Sequence, residues 1–153
     1  MVEPQDGPLE AVRGQRRSLR RALGEVEQAL AAPVVGHERD WATALFTCVE
    51  QLSEVFALHI QVTEGPGGLY EDLLDTAPRL DNIVRRFKVD HEAICGGIEA
   101  ELTRLGTFIE GGKADLELTR RRLTRILGRL VRHRQEGADL IYEAYAVDIG
   151  GES

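Results

Sequence analysis

The sequence predicts an all-α protein, an up-down-up-down four-helix bundle. Apolar residues recur in alternating steps of three and four along four segments, Gly- and Pro-rich breaks fall between those segments, and no run of strand-like alternation competes. With 153 residues, of which 42% are hydrophobic and only 5% aromatic, the chain suits one domain packed with Leu, Ile, Val and Ala.

The first segment carries Val12, Leu19, Leu23, Val26 and Leu30. The second carries Trp41, Leu45, Cys48, Leu52, Val55, His59 and Val62. Leu80, Ile83, Phe87, His91, Ile94, Ile98 and Leu105 form the third stripe, and Leu123, Ile126, Leu130, His133, Gly137, Leu140 and Ala144 the fourth. Each stripe is the width of a helix face turned toward partners. The bundle is expected over residues 9–146, with a flexible N-terminus at 1–8 and a tail at 147–153.

Pro33 and Gly36 separate the first two helices, Gly65, Pro66, Gly67 and Gly68 end the second, and Gly106, Gly111 and Gly112 turn the third into the fourth. Gly150 and Gly151 close the chain in a frayed tail. Leu69 to Ala77 reads as a further short helix, and Asp75 or Thr76 followed by Pro78 as the start signal of the long third helix. Gly96 and Gly97 inside that helix each cost on the order of 1 kcal/mol relative to Ala, so close packing or a bend is expected there.

A net charge of -7 argues against a dedicated nucleic-acid binder, which would show a basic excess. The charge is uneven: Arg13, Arg16, Arg17, Arg20 and Arg21 crowd the first helix, and Arg120, Arg121, Arg122, Arg125, Arg129, Arg132 and Arg134 the fourth. These read as solvated faces paired with acidic neighbours, with a docking surface for an acidic partner as the alternative. The opening MVEPQDGPLE is acidic and lacks the apolar core of a signal peptide, and no apolar run approaches the roughly 20 residues of a membrane span. A soluble, cytoplasmic protein is expected. Cys48 and Cys95 have no metal-site spacing and sit in helix stripes, so both are expected as buried free thiols.

Hydrolase and transferase chemistry finds no residues to bear it. The sequence has no phosphate-binding loop, no nucleophile elbow and no HExxH pair, no base can be placed beside Ser18 or Ser53, and the Glu-x-x-His pairs of a ferritin-type site are missing.

The histidines are the informative residues. His59, His91 and His133 each occupy a core position of a different helix, about 15 to 22 residues from one end of the bundle, which at roughly 1.5 Å per residue leaves them within about 10 Å along the axis. His37 lies at the opposite end of the second helix and reads as a helix-start residue. Three imidazoles at one level form either a metal site or a metal-free polar layer hydrogen-bonded to Glu64, Glu136, Gln15, Tyr70 or Tyr142. A weak internal echo, GLYEDL after His59 and DLIYEAY after His133, places Tyr70 and Tyr142 in matching positions of two hairpins, as packing residues at the bundle end or as support for a ligand.

This pattern resembles the hemerythrin-like, or HHE cation-binding, family from about Gln15 to Tyr145. His59 in HIQVTEGPGGLYEDL looks like that family's second-helix histidine, with Thr63 at the usual carboxylate position and Glu64 one step on. His91 in VDHEAI looks like the third-helix histidine, with Cys95 where a second would fall. His133 in RHRQEGADLIYEAY looks like the fourth-helix histidine, with Gly137 at the carboxylate position and Glu136 or Asp139 nearby. Gln15 or Arg16 stands in place of a first-helix histidine.

The resemblance implies non-haem iron, but the ligand set is depleted relative to the five to seven donors that two irons take. The expected metal ligands are His59, Glu64, His91, His133 and Glu136, holding one or two ions, with zinc as an alternative to iron. An open coordination position would bind or reduce dioxygen, peroxide or nitric oxide. The other reading is a metal-free interaction or sensing module that has lost the family's iron and uses its Arg-rich faces or a bundle-end cavity.

Overall fold

A computed structural model of the chain describes residues 7–147; the expectations for residues 1–6 and for the tail from 148 onward lie outside it. Four long helices form an all-α four-helix bundle: α1 (Pro8–Ala31), α2 (Glu38–Glu64), α4 (Asp81–Ile109) and α5 (Leu116–Tyr142), with the short α3 (Leu69–Thr76) between α2 and α4. Pro8 opens α1 at a position where its missing N–H costs nothing, and Asp115 caps α5 by accepting from the Leu118 amide at 3.0 Å. His37 stands at the N-cap of α2, as its place in the sequence suggests. Gly36 (φ 81°), Gly67 (φ 70°) and Gly111 (φ 102°) supply left-handed turns at three of the connections.

The start of α4 differs from the expectation. Asp75 and Thr76 belong to the end of α3, Pro78–Leu80 forms a 3-10 turn, and α4 begins only at Asp81. The physical reason is Pro78, which pushes the preceding Ala77 out of the helical region (φ -140°, ψ 78°) and so separates α3 from the 3-10 turn and α4.

Around the bundle α1 packs on α2, α2 on α4, α4 on α5, and α5 returns to α1. Six-residue connections at 32–37 and 110–115 leave consecutive long helices no choice but to run antiparallel. Gly97 allows the α4–α5 approach, since a Cβ there would lie 3.1 Å from Ile126 Cδ1; α4 passes through Gly96 and Gly97 without interruption. The buried stripes match the sequence pattern with local one-residue drifts: Val49 is buried where Cys48 is half-buried, Val84 rather than Ile83, Leu127 rather than Ile126. A 3.6-residue helix drifts against a strict seven-residue pattern, which accounts for such shifts. Among the described residues no helix is long and apolar enough to cross a membrane.

Two apolar clusters fill the interior. The larger includes Leu19, Trp41, Leu45, Phe56, Ile98 and Leu130, and the smaller lies under α3 with Val12, Leu69, Leu73, Leu80, Phe87 and Leu140. His59, His91 and His133 are buried but belong to neither. They form a polar layer between the two, because each helix passes from one cluster to the other at its histidine.

Candidate metal centre

His59 is 7%, His91 1% and His133 3% exposed, and their rings converge with centroid separations of 5.1 Å (His59–His91), 5.5 Å (His59–His133) and 4.6 Å (His91–His133). One nitrogen from each can be chosen so that all three lie within 4.8 Å of one another, close enough to bind a metal ion. Phe56, one helical turn before His59, closes the layer on the larger cluster's side: it stacks on His59 at 5.6 Å and presents its ring edge-on to His91 and His133. Phe87 meets His133 edge-on at 5.2 Å from the other side, and Tyr70 stacks on His91.

Two carboxylates orient the rings. His91 Nδ1 lies 2.5 Å from Glu64 Oε2, and His133 Nδ1 lies 2.7 Å from Asp90 Oδ2, whose other oxygen receives Arg129 Nε at 2.7 Å. A carboxylate accepts, so each Nδ1 donates its proton and each Nε2 keeps a lone pair. The two Nε2 atoms face each other at 2.9 Å. Neither ring nitrogen of buried His59 has a hydrogen-bond partner. Ring nitrogens of all three histidines therefore face one interior point, an arrangement that is costly for buried groups unless a shared proton or a cation joins them.

Burial pushes His59 down to about 3, with His91 and His133 adding to the shift, and pushes His91 down to about 3; burial also lowers His133, although Asp90 works in the opposite direction. The imidazoles are thus neutral at pH 7, the state in which they bind metals. Burial raises the Glu64 carboxyl, with Lys88 opposing.

The expected ligands separate into two groups. His59, His91 and His133 meet. Glu64 reaches the centre, but behind His91, on the nitrogen that faces away from the other rings. Glu136 is exposed on the wall of a cleft of about 480 Å³ that it shares with Asp90, Arg129 and His133, and it is no member of the three-histidine cluster. Three residues after His133 is about 300° around the helix, near enough to line the same cleft but turned far enough to stand in solvent.

The substitutions relative to the hemerythrin pattern each have a place in the structure. Thr63 is buried and its hydroxyl donates back to the His59 carbonyl at 2.8 Å, completing its own helix. Gly137 contributes no donor and lines a small cavity of about 30 Å³ together with Val12, Arg16, His59, Tyr70 and His133. Gln15 Oε1 is buried without a partner. Cys48 and Cys95 are free thiols, half-buried rather than buried, and burial raises both. Tyr70 and Tyr142 are not equivalent: Tyr70 is 5% exposed beside His91, whereas Tyr142 is 67% exposed, and it is Tyr145 whose hydroxyl bonds Asp72.

Sequence reasoning missed Asp90. A signal was available: Arg129 and His133 are four residues apart on one face of α5, and an acidic residue of the partner helix α4 adjacent to His91 is the natural group to face both. Should the three histidines hold a metal ion, Asp90→Asn is expected to weaken its binding by about 10- to 100-fold, because the amide can donate to Nδ1 and so turn the His133 lone pair away from the centre. Competition against a chelator of known affinity measures this; unchanged affinity would show that Asp90 does not set the ring's tautomer.

No family model matches the chain, and comparison with curated proteins and with solved structures finds no match either.

Proposed function

We propose that this chain is a hemerythrin-like metal protein that holds a single transition-metal ion on His59, His91 and His133. The observation that carries the reading is the approach of the His91 and His133 Nε2 atoms to 2.9 Å, each ring held from behind by a carboxylate on its Nδ1, with the unpartnered His59 nitrogens beside them. Metal–nitrogen bonds of about 2.0–2.1 Å place neighbouring donors on one ion roughly 2.9–3.4 Å apart, and the two rings already stand at the lower end of that range. No polar contact holds His59, so a small ring rotation brings its nitrogen to the same ion.

One ion, rather than the two of the family pattern, follows from the donors: Glu64 is spent on His91, Thr63 and Gly137 offer no carboxylate, and no bridging group lies between the rings. Imidazoles suit non-haem iron, and zinc fits the same three donors. Such an ion supplies an open, Lewis-acidic coordination position, redox-active if the metal is iron. The cavity of about 30 Å³ beside His59 and His133 has room for a ligand of two or three atoms, so dioxygen, peroxide or nitric oxide matches it better than an organic substrate. Arg16 and Arg134 at this cavity leave its charge favourable to an anion.

A second reading is favoured by the raised Glu64 carboxyl: a protonated Glu64 would donate to His91, and His91 Nε2 to His133, giving a metal-free hydrogen-bonded chain. Cobalt(II) titration of chelator-treated protein separates the two. The metal reading expects about one equivalent bound with ligand-field bands of a nitrogen-rich site, abolished in His91→Ala. Less than about a tenth of an equivalent of cobalt, zinc and iron alike would leave the metal-free chain as the correct description.

A further inference from the structure

We propose that Tyr70 is a fourth protein ligand of this centre, binding as the phenolate, and that three imidazoles and one phenolate select ferric iron over zinc. The proposal rests on the three-histidine reading above. Tyr70 is 5% exposed, and its hydroxyl lies 3.4 Å from His91 Nε2, the same nitrogen that faces His133 Nε2. That distance is long for an O–H···N hydrogen bond, whose heavy atoms sit about 2.7–3.2 Å apart. It falls near the roughly 2.9–3.4 Å that separates neighbouring donors about 2.0–2.1 Å from one ion, and a coordination number of five or six would still leave a position for the small ligand.

The hydroxyl lies beside the three rings rather than at the surface. Thr63 gives its own hydroxyl proton to the backbone of α2 and so can accept from the Tyr70 hydroxyl, a contact that a bound ion would replace. The ring is stacked on His91 at 5.9 Å with an interplanar angle of 14°, and lines the small cavity with His59 and His133. The chain is built to return here. Gly68 admits a backbone approach in which a Cβ would lie 2.8 Å from the carbonyl oxygens of Gly65 and Val62, folding α3 back against the end of α2 and delivering Tyr70 two residues later. In so buried a layer a phenolate standing alone would be costly. A bound cation reverses that logic by stabilising the anion.

The chemistry balances simply. The phenolic O–H bond is exchanged for an O–iron bond, the proton leaves to solvent, and no electron is transferred when iron is supplied in the ferric state. Anionic oxygen adds to neutral nitrogen donors a charge that a trivalent ion rewards more than a divalent one, and phenolate is an established kind of iron ligand.

The test uses chelator-treated protein loaded with ferric citrate or with zinc, as wild type, Tyr70→Phe and Tyr145→Phe. Wild type and Tyr145→Phe are expected to show a visible phenolate-to-iron charge-transfer band, with phenolate ring modes in resonance Raman. Tyr70→Phe should lose the band and at least about tenfold of its ferric affinity, while zinc affinity stays within about threefold. Ferric binding by wild type without phenolate modes, or a band that survives in Tyr70→Phe, overturns the assignment and leaves the three-histidine centre standing. Failure of wild type to bind cobalt, zinc or iron overturns both. Should Tyr70→Phe not fold, the Raman spectrum of wild type decides alone.

Discussion

Lowering the pH of the metal-free protein from about 6.5 to 4.5 is expected to remove on the order of 5 kcal/mol of stability, comparable with the whole stability of an ordinary domain. The sign follows from the buried imidazoles. His59 and His91 drop from 6.5 in the unfolded chain to about 3 in the folded one, and His133 shifts the same way. Between those values the unfolded state binds protons that the folded state refuses, so stability rises with pH, by up to about 1.4 kcal/mol per unit for each imidazole. Two imidazoles over two units give the figure stated. Glu64 acts in the other direction, since its raised carboxyl takes up a proton more readily when folded, but it is one partly exposed group against three buried ones. Urea midpoints measured across this range check the slope. His59→Leu should flatten it by about one proton, because the unfolded chain loses an imidazole that the folded one keeps neutral by burial. A stability independent of pH between 6.5 and 4.5 would mean that the rings are solvated or already charged, and the buried layer would have to be abandoned.

What made this layer legible is periodicity. A histidine in a stripe otherwise made of Leu, Ile and Val is placed inside by its neighbours, and three stripes with matched heights place three rings together before any coordinates are known. Helix rise fixes height well enough for that, but not which nitrogen of a ring faces which neighbour. Glu64 illustrates the difference. Its closeness to His91 could be anticipated from its place at the end of α2, whereas its role on Nδ1 depends on a ring rotation that no spacing encodes. Asp90 was hidden for a related reason: adjacent residues on a helix point about 100° apart, so the residue before a core histidine looks like surface until the neighbouring helix is in place. The sequence points to Tyr70 as a partner of the histidines or a support for a ligand, but how near it comes to His91 depends on how the turn at Gly65–Gly68 folds α3 back, and turns are read less securely than helices. The arginine crowding shows the limit of composition. Of the crowded arginines of α1 and α5, Arg13 and Arg129 pair with carboxylates, while Arg16, Arg20 and Arg134 stand close enough to one another for Arg16 and Arg20 to help lower Arg134. Charge patterning alone suggested neighbours of opposite sign, and bundle geometry supplies them for Arg13 and Arg129 while bringing Arg16 and Arg20 near Arg134.

Phe56→Ala is expected to destabilise the protein by about 3–5 kcal/mol, the usual cost of removing a fully buried aromatic ring, and, on the proposed reading of the histidines, to weaken metal binding at the same time. Phe56 is wholly buried, belongs to the larger apolar cluster, and is the one side chain whose ring touches all three imidazole rings. Its removal opens a cavity against the layer, so the rings lose the wall that keeps them facing one another. His59 is affected most, because stacking on Phe56 is its main restraint: neither of its nitrogens is hydrogen-bonded. His91 and His133 keep Glu64 and Asp90 and are expected to hold their orientation. Phe56→Leu should therefore separate the two effects, recovering most of the stability through apolar volume while leaving His59 free to turn and metal affinity reduced. Metal supplies the complementary measurement. An ion that joins α2, α4 and α5 binds only the folded chain and adds RT ln(1 + [metal]/Kd) to its stability, so saturating metal at 100 times Kd should return about 2.7 kcal/mol to either variant. A loss below about 1 kcal/mol in Phe56→Ala would show that the ring is not packed between core and imidazoles; a normal loss with no recovery on adding metal would show that the three histidines do not close on an ion.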